Sequence, residues 1–260
     1  MERREIDFIS KQLWKDELAY RDNPKNAHDV KLEQELFREV NTLGYDFFWS
    51  LQFNRSKFSV KDKAIISIIV KYVDRFESSD LANHYLCCLG VKGFYDATEF
   101  LINKYKQCVP PSYNAYVLNA VSQTIANIRD SRYIDVYLDF LKDDVVVSET
   151  WFIVQMLGRM KIERAIPHFI RLLDGERLIR ESRRGTVLED SKFLVSQTSI
   201  EALSQFKNPD YIKFIEKFLE PEKIPWIKFE ESKEARANLR ATYATYKNIT
   251  KKAMGRMLSH

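Results

Sequence analysis

Apolar and polar positions along this chain fall into a motif that recurs three times. Ile125-Ala126-x-Ile128-Arg129-Asp130-x-Arg132-Tyr133-Ile134 is the first copy, and Leu157-Gly158-x-Met160-Lys161-x-x-Arg164-Ala165-Ile166 the second. Leu203-Ser204-x-Phe206-Lys207-Asn208-x-Asp210-Tyr211-Ile212 is the third, and in each copy the outer apolar anchors stand nine residues apart. The pattern predicts the end of one apolar helix, a tight polar turn and the start of a second helix. The second helix repeats its apolar positions: Ile134, Tyr137, Leu138 and Leu141 align with Ile166, Phe169, Ile170 and Leu173, then with Ile212, Ile215 and Leu219. Glu216 departs from that pattern. Pro167 falls in a first helical turn, where its missing N–H is harmless. A helix pair of this kind cannot bury its apolar face alone, so copies must stack on one another.

The remaining chain extends the pattern less regularly. Ile6, Ile9, Leu13 and Leu18, with Trp14 beside them, predict one helix, broken at Arg21-Asp22-Asn23-Pro24. Leu32, Leu36, Val40, Leu43, Phe47 and Leu51 predict a second, with Gly44 inside it as a kink or a close helix crossing. Ser59 is expected to cap a third helix that carries Ile65, Ile68, Ile69 and Tyr72. Leu89-Gly90, then Ala97, Phe100, Leu101 and Tyr105, form a degenerate earlier copy of the motif. From Ile134 to Ile166 is 32 residues and from Ile166 to Ile212 is 46, so an insertion of 14 falls between Asp174 and about Asp190. Pro221–Trp226 is expected to be a linker, followed by a helix from about Glu230 with Ala235, Leu239, Tyr243 and Tyr246 on one side. The organisation is thus an N-terminal helical capping region at 1–55, a repeat array at 56–220 with the insertion at about 174–190, and a C-terminal capping helix with a basic tail at 221–260.

Two segments carry a resemblance to a known family. Met156-Leu157-Gly158-Arg159-Met160-Lys161-Ile162-Glu163-Arg164-Ala165-Ile166-Pro167 resembles a HEAT repeat, as does Ala202-Leu203-Ser204-Gln205-Phe206-Lys207-Asn208-Pro209-Asp210-Tyr211-Ile212. The first helix of that repeat ends in an Ala-Leu-Gly-like segment and the second opens with Ala-Ile-Pro. The match is good over about 120–219, fair over about 60–108 and weak over 1–55. The third copy lacks the second-helix Pro, and the first lacks both Gly and Pro. The resemblance implies an all-α fold, a right-handed α-solenoid of stacked antiparallel helix pairs. It also implies a scaffold or adaptor that binds along a concave face lined by the second helices. HEAT-like arrays further include DNA-repair glycosylases and bilin lyases.

Composition narrows the classes. Seven Gly and seven Pro in 260 residues leave little turn chemistry for an all-β fold. Cys87, Cys88 and Cys108 make no disulfide framework and read as small core residues of a reducing compartment. The start, Met1-Glu2-Arg3-Arg4, is charged rather than secretory, and the longest apolar runs are too short to span a bilayer. A cytoplasmic protein without membrane contact is expected. Lys247, Lys251, Lys252 and Arg256 account for the whole formal charge of +4. The body is balanced, which argues against the broad basic surface of a dedicated nucleic-acid binder.

Catalytic motifs are missing: the sequence has no Gly-rich phosphate loop, His-Glu-x-x-His, Gly-x-Ser-x-Gly or Walker lysine. His28, His84, His168 and His260 have no metal-ligand spacing, so neither cofactor nor metal is expected. Two features offer binding chemistry. Arg177, Arg180, Arg183 and Arg184 in the insertion suit phosphate or carboxylate groups. On the outward column of the second helices, Asp135 and Asp139 align with Pro167 and Arg171, then with Lys213 and Lys217. Those positions are i and i+4, so each pair shares a face, and His168 lies beside them. The column is expected to run from acidic to basic, a polarity that would orient a bound chain. Arg129, Lys161 and Lys207 recur at first-helix C-termini, where the helix dipole favours a cation.

The leading expectation is a non-enzymatic binding protein, with a protein partner, acting as an adaptor or as an immunity-type inhibitor. A nucleic-acid-binding array, with a DNA-repair glycosylase-like enzyme on damaged bases as its catalytic form, is the alternative. A bilin-type lyase is the third and weakest.

Overall fold

The computed structural model describes residues 15–16, 18–48, 53, 55–109, 112–142, 149–175, 189–227 and 233–259, with backbone alone at 189–191 and 233–238. Among the described residues the fold is all-helical and contains no strand. The helices are α1 (Ala27–Asn41), α2 (Ala64–Val73), α3 (Ser79–Cys88), α4 (Thr98–Cys108), α5 (Ala115–Ile128) and α6 (Ile134–Asp139). They continue as α7 (Thr150–Arg159), α8 (Ile166–Leu172), α9 (Glu189–Ser204), α10 (Ile212–Ile215) and α11 (Lys233–Leu258).

The motif corresponds to one backbone device used four times. Gly93, Arg129, Lys161 and Lys207 have φ of 95°, 57°, 55° and 51°, and the last three are the non-glycine residues with positive φ among the described residues. Each stands five residues before the first residue of a second helix: Thr98, Ile134, Ile166 and Ile212. Asp130, Ile162 and Asn208 follow in extended conformation, then a three-residue 3-10 turn leads into the helix. A left-handed residue at this point ends a helix by returning its amide to the last carbonyls. At Lys161 that is seen in full, with Lys161 N–H to Gly158 O at 3.0 Å and Ile162 N–H to Leu157 O at 3.1 Å. The side chains of Asp130 and Asn208 accept from the amides two residues on, Arg132 at 3.1 Å and Asp210 at 2.9 Å, which sets the direction of the 3-10 turn. The degenerate copy at 89–105 therefore shares the left-handed residue, the 3-10 turn and the helix start with the other three, although Phe94, which follows Gly93, is not extended.

Burial follows the same register. Leu89, Ile125, Leu157 and Leu203, four residues before the left-handed position, are all at most 1% exposed. Leu101, Tyr137, Phe169 and Ile215, three residues into the second helix, are 0% exposed. Ile134, Ile166 and Ile212 are half-buried. First helices pack in succession, α3 on α5, α5 on α7, α7 on α9 and α9 on α11, while α4 and α8 each pack on the following first helix. Helices α7 and α9 cross tightly: a Cβ on Gly158 would stand 2.7 Å from both the Cα and the Cβ of Ala202. Gly90 and Gly158, with Ala126 and Ser204 at the equivalent places, keep that column small.

Four expectations are corrected. The stripe through Leu51 is not one helix: α1 stops at Asn41, and Gly44 has φ +93° with no atom within 4 Å of a Cβ placed on it. Gly44 thus serves the turn conformation and not a helix crossing. The Asn41 side chain then donates to Phe47 O at 3.0 Å and accepts from Phe47 N–H at 2.9 Å. This folds Phe47 back onto Phe53 and Phe58, so its apolar spacing continues without a helix. Ser59 does not cap α2. Its amide and hydroxyl donate to Asp62 Oδ2 at 2.7 and 2.8 Å, closing a turn before the helix starts at Ala64. The segment at 221–227 is no open linker: Ile224 and Ile227 are buried, and the Trp226 ring packs on Phe193, Phe218 and Tyr246. The basic tail is the second half of α11, whose Tyr246, Thr250, Ala253 and Met257 are buried.

Candidate functional site

The second-helix column starts from exposed positions on α6, α8 and α10. Asp135 accepts from Arg164 Nη2 of the next copy's turn at 2.6 Å. Asp139 pairs with Lys142 at 2.6 Å. Arg171 donates its guanidinium to the Leu141 carbonyl, capping the end of the preceding pair. His168 is half-buried; burial, with Lys142 nearby, pushes its pKa below the ordinary imidazole value. Lys213 and Lys217 are exposed, their ammonium groups 5.2 and 5.3 Å from the ring centroids of Phe214 and Phe218. Among the described residues neither has a carboxylate at ion-pair distance.

The acid-to-base gradient along this column is therefore weaker than the spacing alone suggests. Both aspartates have cationic partners within the fold, and Arg171 is engaged with backbone. Exposed pairs contribute little to stability, about 0–1 kcal/mol, so a partner could exchange them cheaply. The charge that meets no carboxylate among the described residues lies at the C-terminal end, on Lys213 and Lys217. Arg177, Arg180, Arg183 and Arg184 lie outside the described residues.

Two polar cavities on the first helices are not apparent from the second-helix spacing. One, of about 240 Å³, is lined by Arg55, His84, Cys87, Cys88, Gln123, Thr124 and Asn127 between α3 and α5. The other, of about 250 Å³, is lined by Gln155, Arg159, Thr198, Glu201, Ala202, Gln205 and Arg256 between α7, α9 and α11. They use the same register. Gln123, Gln155 and Glu201, with Cys87, sit six residues before a left-handed residue, and Asn127, Arg159 and Gln205 sit two before. The signal was present as polar residues at i and i+4 on otherwise apolar helices, but only stacking brings them to facing walls.

Burial pushes the Cys87 and Cys88 thiols up, away from the nucleophilic thiolate. His84 has a ring nitrogen 2.6 Å from Phe53 O. Among the described residues no three His, Cys, Asp or Glu side chains gather as a metal site requires. No described helix is long and apolar enough to cross a membrane. No family model matches the chain, and no curated protein matches it.

Proposed function

We propose that this chain is a non-enzymatic binding protein: a HEAT-like right-handed α-solenoid whose second-helix face takes a protein partner, as an adaptor or an inhibitor. The observation that carries this reading is the four-fold unit of left-handed residue, 3-10 turn and helix, with first helices packed on sequential neighbours among the main contacts. Such a stack leaves one face of second helices without a further layer. Lys213 and Lys217 make the C-terminal end of that face a cationic anchor for an acidic segment of the partner. The test is co-purification from native lysate followed by the Lys213→Glu/Lys217→Glu variant. Loss of a captured protein with helicity unchanged supports the reading; unchanged capture, or a turnover activity without any protein partner, refutes it.

One observation favours a second reading, nucleic-acid binding. Exposed Lys251, Lys252 and Arg256 on α11 add to Lys213 on α10 and Lys217 in the 3-10 turn after it, both of which pack against α11. Phosphate contacts would give binding that falls steeply with salt; absence of filter binding at low salt removes this reading. Base excision gains no support from the two cavities, since neither lining sets a carboxylate beside Phe, Tyr or Trp.

A further inference from the structure

The groove between α7, α9 and α11 carries charge that the fold itself does not use. Its floor is the crossing where Gly158 meets Ala202, and Ala202 lines the groove. Arg159, the last residue of α7, and Gln155 one turn earlier form one wall. Thr198 and Glu201 of α9, with Gln205 just past its end, form another, and Arg256 of α11 closes the third. Arg256 Nη1 reaches Ser204 Oγ at 3.4 Å, a long contact that leaves most of the guanidinium fork open. Among the described residues neither arginine has a carboxylate within ion-pair distance, although Glu201 shares the groove. Two guanidinia against one carboxylate leave a net positive charge, and Lys252 stands exposed one turn before Arg256 on the same face. The Lys161 and Ile162 amides already occupy the Gly158 and Leu157 carbonyls at the end of α7, which limits repulsion of an anion there.

We propose that this groove binds a small, doubly charged oxyanion. The recognition chemistry is two guanidinium forks from different helices, supplemented by the amides of Gln155 and Gln205; the Thr198 hydroxyl donates to Leu194 O at 2.8 Å and only shapes the wall. Guanidinium geometry matches phosphate and carboxylate oxygens bidentately, and a cavity of about 250 Å³ takes a small molecule and not a folded domain. Glu201 sets an upper limit on affinity by opposing the anion. The site lies on the first helices, away from the second-helix column, so its fate is independent of the protein-partner reading.

The test is calorimetric titration of the full chain at low ionic strength with inorganic phosphate and, separately, with malonate. Saturable binding of either is expected, and which of the two binds assigns a phosphate or a carboxylate ligand. Arg159→Gln and Arg256→Gln should each weaken binding by about tenfold, the scale of losing one charge-assisted contact. Glu201→Gln should tighten it severalfold while leaving the melting temperature without anion near wild type, which separates a binding effect from misfolding. Failure of both anions to bind overturns the proposal. So does binding that survives both arginine substitutions, or a Glu201→Gln variant that binds more weakly.

Discussion

The crossing of α7 and α9 allows one substitution to have opposite signs at two sites. At Gly158 an added Cβ would stand 2.7 Å from Ala202 Cα, a backbone atom that no rotamer change can move. Helix α7 must then shift away from α9, and overpacking of this kind costs about 1–3 kcal/mol. Alanine returns about 1 kcal/mol as the better helix former. Gly158→Ala should therefore destabilise by about 1 kcal/mol, with overpacking exceeding the propensity gain. At Gly255 in α11 nothing lies within 4 Å of the added Cβ, so only propensity acts and Gly255→Ala should stabilise by about 1 kcal/mol. For a chain of this size each kcal/mol moves the melting temperature by about 2–4 °C. Scanning calorimetry of both variants under one buffer should place them on opposite sides of wild type. If Gly158→Ala melts as high as Gly255→Ala, the helices do not approach as described and the small-residue column has another cause.

Further outcomes follow from single residues. At Lys161, whose φ is 55°, Lys161→Gly should be more stable than Lys161→Ala by about 0.5–1 kcal/mol, the reverse of a helix interior, because only glycine escapes left-handed strain; chemical denaturation of the pair checks the order. Glu33 is 0% exposed and accepts from Arg21 at 2.7 Å and Tyr85 at 2.6 Å. Glu33→Ala should cost about 1–3 kcal/mol by removing the acceptor of the buried Tyr85 hydroxyl and of the part-buried Arg21 guanidinium, which keeps its contact to Phe48 O, and a melting temperature at or above wild type would refute that, each kcal/mol being worth about 2–4 °C. Burial pushes the Asp130 carboxyl up, but hydrogen bonds from the Arg132 side chain and amide outweigh it and hold its pKa below the usual carboxylate range. A carboxyl depressed on folding stabilises fully above its unfolded value, near pH 4, and that contribution is lost as pH falls through the folded value. Asp130→Asn should therefore lower stability at pH 7, with the gap to wild type closing below pH 4; a gap of constant size from pH 3 to 7 contradicts the assignment.

The helix pairs were legible because burial of one face imposes a 3.6-residue period, and because a helix that must stop and restart needs polar turn residues at fixed offsets. Arg129, Lys161 and Lys207 were visible as a column, and the dipole explanation for them was sufficient but incomplete. Their left-handed backbone left no mark in their identity, since glycine occupies that position only at Gly93. Gly44 was misplaced for the complementary reason: Phe47 keeps helical spacing from Val40 while reaching the core through a turn pinned by Asn41. The aspartates of the second-helix column were legible as charges but not as partners, because Arg164 and Lys142 meet them only after stacking and turning.

Sequence alone determined that the described residues are helical and where the repeating pairs begin and end, because these are local consequences of periodicity and chain stiffness; of the apolar positions it aligned, Tyr137, Phe169 and Ile215 are buried while Ile134, Ile166 and Ile212 are half-buried. Tertiary structure decided which polar side chains face one another. Gln155, Arg159, Thr198, Gln205 and Arg256 come from three helices and acquire a common groove only when α7 and α9 close at Gly158 and Ala202 and α11 packs on α9. The distance between such groups is set by backbone approach across helices, and no periodicity within one helix encodes it.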